Sequence, residues 1–291
     1  MTLPELRWGE RTYVMGIINL TPDSFSGDGL APAGRSEGEI LAAALEQARD
    51  FVAGGADVLD VGAQSSRPAQ FYGEHPILTA DEEAAIAVPV VASLAQTYAG
   101  RVLVSIDTWN GEVARMAVEG GAAIVNDVWA GRRDPGTADV AAAAGCYFVC
   151  MHNKEVAEYP GGVFDEVVEW LRASVDDAVG RGVARERIIV DPGAGFGKTP
   201  AHTIELLARL GELKSAVGGL PLLVGTSRKR FIGELLGGAP PDERLDGTAA
   251  SVALAIAGGA DIVRVHDVAR MTPVVRVADG IARWREAPRA G

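Results

Sequence analysis

Residues 54–61 read Gly-Gly-Ala-Asp-Val-Leu-Asp-Val, and this stretch decides the fold. A glycine pair stops a helix, because glycine takes the left-handed turn that ends it without a Cβ clash. An alanine, a short apolar run and a polar residue near the end of that run follow. "GGAAIVNDV" at 120–128 and "GGADIVRVHDV" at 258–268 repeat the same grammar. Each run is short and rich in Val and Ile, as strands buried on both faces are.

Working outward, eight such runs are predicted as strands, near 13–18, 56–61, 102–106, 122–126, 146–151, 187–191, 221–225 and 261–265. Amphipathic stretches alternate with them at 37–53, 81–98, 111–120, 137–144, 163–181, 201–216, 242–258 and 270–285. The first opens on Ser36 with Glu39 three residues later, the pattern of a capping box. Strict alternation implies a parallel sheet. Eight units favour a closed (β/α)₈ barrel over an open doubly wound sheet. No Gly/Ser/Pro-rich linker interrupts the pattern, so 1–291 reads as one α/β domain with long loops after strands one and two.

The chain is 48% hydrophobic and 23% charged, enough to bury a sizeable core. Its net charge of −12 argues against a nucleic-acid backbone or an anionic membrane as the main partner. A local Arg/Lys cluster can still hold an anionic small molecule. Cys146 and Cys150 lie in the apolar "CYFVCM" and read as buried, reduced thiols. "MTLPELRWGERTY" lacks a basic-then-apolar signal and no membrane-length apolar run follows, so a cytoplasmic location is expected. His75, His152, His202 and His266 are scattered without HExxH or CxxC spacing, which argues against a dedicated zinc site.

In a parallel barrel the chemistry sits beyond the C-terminal ends of the strands. Read to their ends, the eight runs finish at Asn19, Gln64 to Arg67, Asp107, Asn126–Asp127, His152–Asn153, Asp191, Ser227 to Lys229, and Arg264–His266–Asp267. A polar strand end is ordinarily a helix cap or loop residue; eight together point to one polar mouth. Asp107, Asp191 and the Asn126 amide suit a flat heterocycle with adjacent N–H donors, because carboxylates accept bidentately from such an edge. Lys229, Arg264, His266 and Arg67 suit an anionic leaving group. "GAGFGKT" at 193–199 is not a P-loop, since the required first glycine is Pro192; its glycines are expected to run close under a planar ligand. The loops "NLTPDSFSGDG" at 19–29 and "AQSSRPAQFYGEHP" at 63–76 are lid candidates.

Taken together, "MGIINLTPDSFS", "GAQSSRP", "VSIDT", "VNDV", "CMHN", "DPGAGFGKT", "LLVGTSRKRFIG" and "VRVHDV" resemble the dihydropteroate synthase family, in order and over nearly the whole chain. The resemblance implies a pterin-binding TIM barrel that joins a dihydropterin pyrophosphate to p-aminobenzoate with release of pyrophosphate. It implies a pterin held by Asp107, Asn126, Asp191 and Lys229 between Met151 and Phe196. The pyrophosphate would meet Asn19, Arg264 and His266, with Mg²⁺ bridging it to Asn19. p-Aminobenzoate would lie near Phe25, Ser66, Arg67, Pro68 and Lys229, its carboxylate toward Arg230. Lys229, Arg264, His266 and Arg67 form the implied catalytic set, and a loop-one carboxylate, Asp23 or Asp28, would face the pterin cation. A homodimer and a sulfonamide target are implied as well. The chain departs from the family pattern at Ala63 and Gln64, which replace Gly-Glu, at Ser66, which replaces Thr, and in "SGDG", where the Asp has moved by one. Two other readings share the pterin pocket: a methyltetrahydrofolate-binding methyltransferase domain, and a paralogue that binds pterin without catalysis.

Overall fold

The computed structural model describes residues 5–21, 29–30, 35–64 and 77–284. Eight strands alternate with helices along it: β1 Tyr13–Asn19, β2 Val58–Gly62, β3 Leu103–Asp107, β4 Ile124–Asp127, β5 Tyr147–Met151, β6 Ile188–Asp191, β7 Leu223–Val224 and β8 Ile262–Val265. They form one sheet in the order β6-β5-β4-β3-β2-β1-β8-β7, and every pairing is parallel. A parallel bridge between Val190 and Leu222, with Val190 N–H donating to Pro221 O at 2.9 Å, joins the two ends of the sheet. The expected (β/α)₈ barrel is therefore the fold.

The outer helices are α1 Glu37–Ala53, α2 Ala80–Thr97, α3 Gly111–Glu119, α4 Gly136–Ala144, α5 Val163–Gly180, α6 Pro200–Ala208, α7 Leu210–Ala216, α8 Arg230–Leu235, α9 Leu245–Ala257 and α10 Val268–Ala282. The capping box at the start of α1 forms: Ser36 Oγ accepts from Glu39 N, and Glu39 Oε2 accepts from Ser36 N at 2.8 Å. Thr79 and Glu82 repeat the device at α2. In each glycine pair the second residue takes the left-handed turn, with φ of 98° at Gly55, 106° at Gly121 and 96° at Gly259.

Three differences from the sequence reading have local causes. The helix expected over 201–216 breaks at Arg209, although buried Leu206, Leu210 and Leu213 keep helical spacing across the break. The strand expected over 221–225 shortens to Leu223–Val224, with Pro221, which has no N–H to donate, before it and Gly225 after it. The helix expected over 242–258 begins at Leu245, after a 3₁₀ turn at Pro241–Glu243.

Side chains alternate along each strand between two cores. One face packs outward beneath the helices, as at Ile18, Val61, Ile106 and Val125. The other fills the barrel with Met15, Val58, Leu103, Ile124, Tyr147, Val149, Ile189 and Ile262. Leu6 and Trp8 pack against this interior from the N-terminal end of the strands, where Trp8 meets Tyr13 and Tyr147 edge-on at 5.9 Å. The floor is thus dry and filled, and the same inward rows continue upward into polar residues at the opposite end.

Gly16 shows how tightly β1 and its helices meet: a Cβ there would come within 2.5 Å of the Phe51 ring on α1 and 3.0 Å of Val268 on α10. Overpacking of this kind costs about 1–3 kcal/mol. Gly16→Ala is expected to lower the thermal midpoint by several degrees in a calorimetric scan, at about 2–4 °C per kcal/mol for a domain of this size.

Candidate active site

At the C-terminal end of the barrel one cavity is lined by Ile17, Ile18, Asn19, Thr21, Gly62, Gln64, Asp107, Asn126, Val128, Met151, Asp191, Phe196, Gly225, Ser227, Lys229, Arg264 and His266. Asn19, Asp107, Asn126, Met151 and Asp191 stand at strand ends, so the backbone ladder itself fixes their positions. Asp107 and Asn126 are register partners on adjacent strands.

Arg264 crosses the interior from β8. Its Nε donates to Asp60 Oδ2 at 2.6 Å and its Nη2 to Asp107 Oδ2 at 2.7 Å. The same Asp60 oxygen accepts from Asn126 Nδ2 at 3.1 Å. His266 shares a 2.9 Å hydrogen bond between Nδ1 and Ser227 Oγ. Lys229 Nζ donates to Ala194 O and lies 4.6 Å from the centre of the Phe196 ring, on the loop after β6. Asp191 Oδ1 accepts from Gly193 N at 2.7 Å. Gln64 is turned into the scaffold in part, its Oε1 accepting from Leu78 N at 2.9 Å.

Burial sets the electrostatics. It pushes the Asp107 carboxyl up to about 7, against the opposing pull of Arg264. Burial also raises Asp191, which Lys229 opposes. Lys229 is brought down to about 8 by burial, partly offset by Asp191. Burial works against the Arg264 charge too, but Asp60 and Asp107 more than offset it, and its pKa rises. The cavity therefore presents acceptors on β3, β4 and β6 opposite cations from the β7–α8 turn and β8.

Several strand-end residues lie elsewhere. His152 does not line the cavity; it is buried behind β5, with its ring 5.0 Å from Trp170 and its Nδ1 2.7 Å from Lys198 Nζ. Burial and the neighbouring Lys198 hold it neutral, its pKa lowered to about 2. Asn153 also lies off the cavity, in a surface groove with Trp129 and Trp170. Asp127 builds the turn into α4, accepting from Trp129 N, Gly131 N and Thr137 Oγ1 at 2.7–2.8 Å. Asp267 pairs with Arg228 at 2.6 Å. Arg230 begins α8 directly after Lys229, its Nε bonded to Glu234 at 3.0 Å, and is not among the cavity-lining residues. The glycines at 193 and 197 serve a different contact from the expected one: Cβ atoms there would collide with the carbonyl oxygens of His152 and Lys154, so the loop packs onto the end of β5. Phe25, Ser66, Arg67, Pro68, Asp23 and Asp28 lie outside the described residues.

The residue that the sequence reading missed is Asp60. A carboxylate in the middle of an apolar strand is costly unless paired. Its phase, two residues from Val58 and two from Gly62, places it on the inward face. That combination was the available signal.

A filled barrel floor, an acceptor-lined pocket and a cationic rim define an enzyme that takes a donor-edged ring bearing an anionic group. The comparisons agree. The family profile described as pterin binding enzyme matches residues 15–266. A dihydropteroate synthase from Synechocystis is 43% identical over 285 residues, covering 96% of this chain and 92% of that protein. The crystal structure of dihydropteroate synthase from Clostridium difficile in the presence of pteroic acid superposes with a TM-score of 0.86 at 39% identity, over 96% of this chain and all of that one. Dihydropteroate synthase from Xanthomonas albilineans with 4-aminobenzoic acid gives 0.84 at 36% identity, over 95% of both chains. The chain belongs to the pterin-binding enzyme family. Among the described residues no helix is long and apolar enough to cross a membrane.

Neither cysteine takes part in this site. Both are buried and free, and burial raises both thiols. A thiol reagent is expected to label neither in the native protein and both of the 2 cysteines after unfolding; rapid native labelling would show that these strands open.

Proposed function

We propose that the protein is a dihydropteroate synthase, which condenses 6-hydroxymethyl-7,8-dihydropterin pyrophosphate with p-aminobenzoate to give 7,8-dihydropteroate and pyrophosphate. The observation that carries this is the acceptor row Asp107–Asn126–Asp191 set opposite Arg264, His266 and Lys229 in one cavity. A pterin offers an edge of adjacent N–H and NH₂ donors, which carboxylates bind bidentately. Met151 and Phe196 supply apolar walls for its faces. The Synechocystis relative and the superposed structures, all named for this activity, support the same reading over the methyltransferase alternative.

In the reaction the methylene C–O bond breaks, the aniline nitrogen forms the new C–N bond and loses a proton, and pyrophosphate leaves. Arg264 and His266 stabilise the charge that develops on the leaving group. Lys229, as an ammonium, counters Asp191 and is proposed to meet both the ring and the incoming amine. Phe25, Ser66, Arg67, Pro68 and Arg230 are proposed to hold p-aminobenzoate, with Asp23 or Asp28 facing the pterin cation. Closure of the two long loops would exclude water.

Mg²⁺ is the proposed cofactor. Asn19 Oδ1 sits at the end of β1 and accepts from Thr21 N at 3.1 Å, leaving a lone pair for a cation. Among the described residues no cluster of three or more His, Cys, Asp or Glu could hold a metal alone. This donor set fits Mg²⁺ arriving with the pyrophosphate, since Mg²⁺ is commonly held by one or two protein oxygens plus phosphate oxygens and water. When bound it would neutralise leaving-group charge.

Purified protein with both substrates and Mg²⁺ is expected to release dihydropteroate and pyrophosphate in equal amounts, and Asp191→Asn is expected to lower kcat/KM about a hundredfold or more. Pterin binding without product would favour the non-catalytic paralogue. The pH profile of kcat/KM is expected to be bell-shaped. Its acid limb lies near 7, where Asp107 takes a proton and ceases to accept with both oxygens. Its alkaline limb lies near 8, where Lys229 loses its charge. Lys229→Arg should move the alkaline limb upward; an unmoved limb would remove Lys229 from that role.

We also propose a homodimer. Leu254 on α9 and Val277, Ile281 and Trp284 on or just after α10 are 65–74% exposed on neighbouring helices, an apolar surface suited to a second copy. Sedimentation should give a dimer for the wild type and a shift to monomer for Ile281→Asp; a wild-type monomer at micromolar concentration would contradict it.

A further inference from the structure

Asp60 is 0% exposed and does not line the cavity, so it meets no substrate. It is nevertheless the shared partner of two residues that do line it. One oxygen, Oδ2, accepts from Arg264 Nε at 2.6 Å and from Asn126 Nδ2 at 3.1 Å. The other, Oδ1, has no hydrogen-bond partner among the described residues. The carboxylate thus makes no bond of its own to the scaffold. Its hydrogen bonds go to the two site residues.

Each of these bonds has a consequence at the cavity. A guanidinium on a long side chain has many rotamers, and a charge-assisted bond at Nε fixes its plane. With Nε held by Asp60 and Nη2 by Asp107, Arg264 keeps Nη1 for a ligand. An ionised carboxylate only accepts, so the amide of Asn126 must turn its Nδ2 toward Asp60. That leaves the Asn126 carbonyl oxygen as the end offered to the cavity, matching the acceptors of Asp107 and Asp191 beside it. Without Asp60 the amide is free to flip and present donors to a donor edge.

We infer that Asp60 is the positioning residue of this site: through one buried oxygen it aims the Arg264 guanidinium at the leaving group and sets the amide of Asn126 as an acceptor toward the ring. The inference rests on the pterin pyrophosphate reading above and deepens it. The alternative is that Asp60 merely neutralises Arg264 inside the barrel, a role that Asp107 already shares.

Asp60→Asn keeps the shape, removes the charge and tests this. Calorimetry would follow inorganic pyrophosphate, 6-hydroxymethylpterin and its pyrophosphate on wild type, Asp60→Asn, Arg264→Ala and the double variant, alongside turnover and thermal melts. Removing a partner that orients a ligating side chain generally costs about 10–100-fold in affinity or activity. Asp60→Asn is expected to melt within a few degrees of wild type yet to lose about that factor in kcat/KM and in the affinity gained from the pyrophosphate group. In the Arg264→Ala background the same change should leave that gain unaltered, because residues acting through one another are not additive. Hydroxymethylpterin affinity should still fall there, through Asn126. Full activity in Asp60→Asn, an equal loss of the pyrophosphate-derived affinity gain in both backgrounds, or a loss explained wholly by a collapsed melt would overturn the positioning role. Wild-type binding of pterin and pyrophosphate without product would instead defeat the synthase reading and leave the Asp60 comparison readable from binding. Wild type that binds neither would overturn both.

Discussion

Arg264 suspended between Asp60 and Asp107 is the contact on which the site depends. A lone guanidinium inside a barrel would carry a desolvation penalty of several kcal/mol. Here β8 delivers it across β1 to carboxylates on β2 and β3, at 2.6 and 2.7 Å. The arrangement solves two problems together. It makes a buried cation tolerable near the floor of the cavity, and it leaves part of that cation directed at whatever anion enters. Burial and nearby carboxylates raise the Asp107 pKa, while Arg264 holds it down. On the proposed reading, a pterin that brings N–H donors to Asp107 would offset part of that burial cost.

The rest of the barrel follows from the same inward rows. Below, they carry Met15, Val58, Leu103, Ile124 and Val149, which fill the interior and exclude water. Above, two to four residues further along the strands, they carry Gly62, Asp107, Asn126, Met151 and Asp191. Each functional side chain is thus a continuation of a hydrogen-bonded ladder, and its position is as well determined as the ladder. Of the cations, Arg264 also stands on a strand, β8, whereas Lys229 comes from a less regular position. Lys229 ends the β7–α8 turn, where Arg228 takes a φ of 56° and is tied to Asp267. The buried amino group of Lys198, bonded to His152 Nδ1 at 2.7 Å and Phe196 O at 3.0 Å, secures the loop that carries Phe196.

Much of this was legible in the residues. Three glycine-stopped units and five further short apolar runs named eight strands, and the polar ends of β1, β3, β4, β6 and β8 named the cavity. What escaped has physical reasons. Asp127 and Asp267 carry the same local signature as Asp107, but the strand period turns Asp127 outward and Arg228 claims Asp267; only three-dimensional packing separates them. His152 follows Met151 by one residue and so faces the opposite side of β5, where Trp170 and Lys198 enclose it. Asp60 reads in the opening motif as one more polar residue near a strand end, but β2 runs on to Gly62, which puts Asp60 mid-strand beneath the cavity. The break at Arg209 left no trace, since Leu206, Leu210 and Leu213 preserve the helical period through it.

The most direct test is a crystal structure of the protein with 6-hydroxymethyl-7,8-dihydropterin pyrophosphate. The account predicts the ring between Met151 and Phe196 with its donor edge on Asp107, Asn126 and Asp191. It predicts the pyrophosphate on Arg264, His266 and Asn19, with the Arg264–Asp60 contact preserved. A ring seated elsewhere, or a pyrophosphate bound while Arg264 has left Asp60, would contradict it.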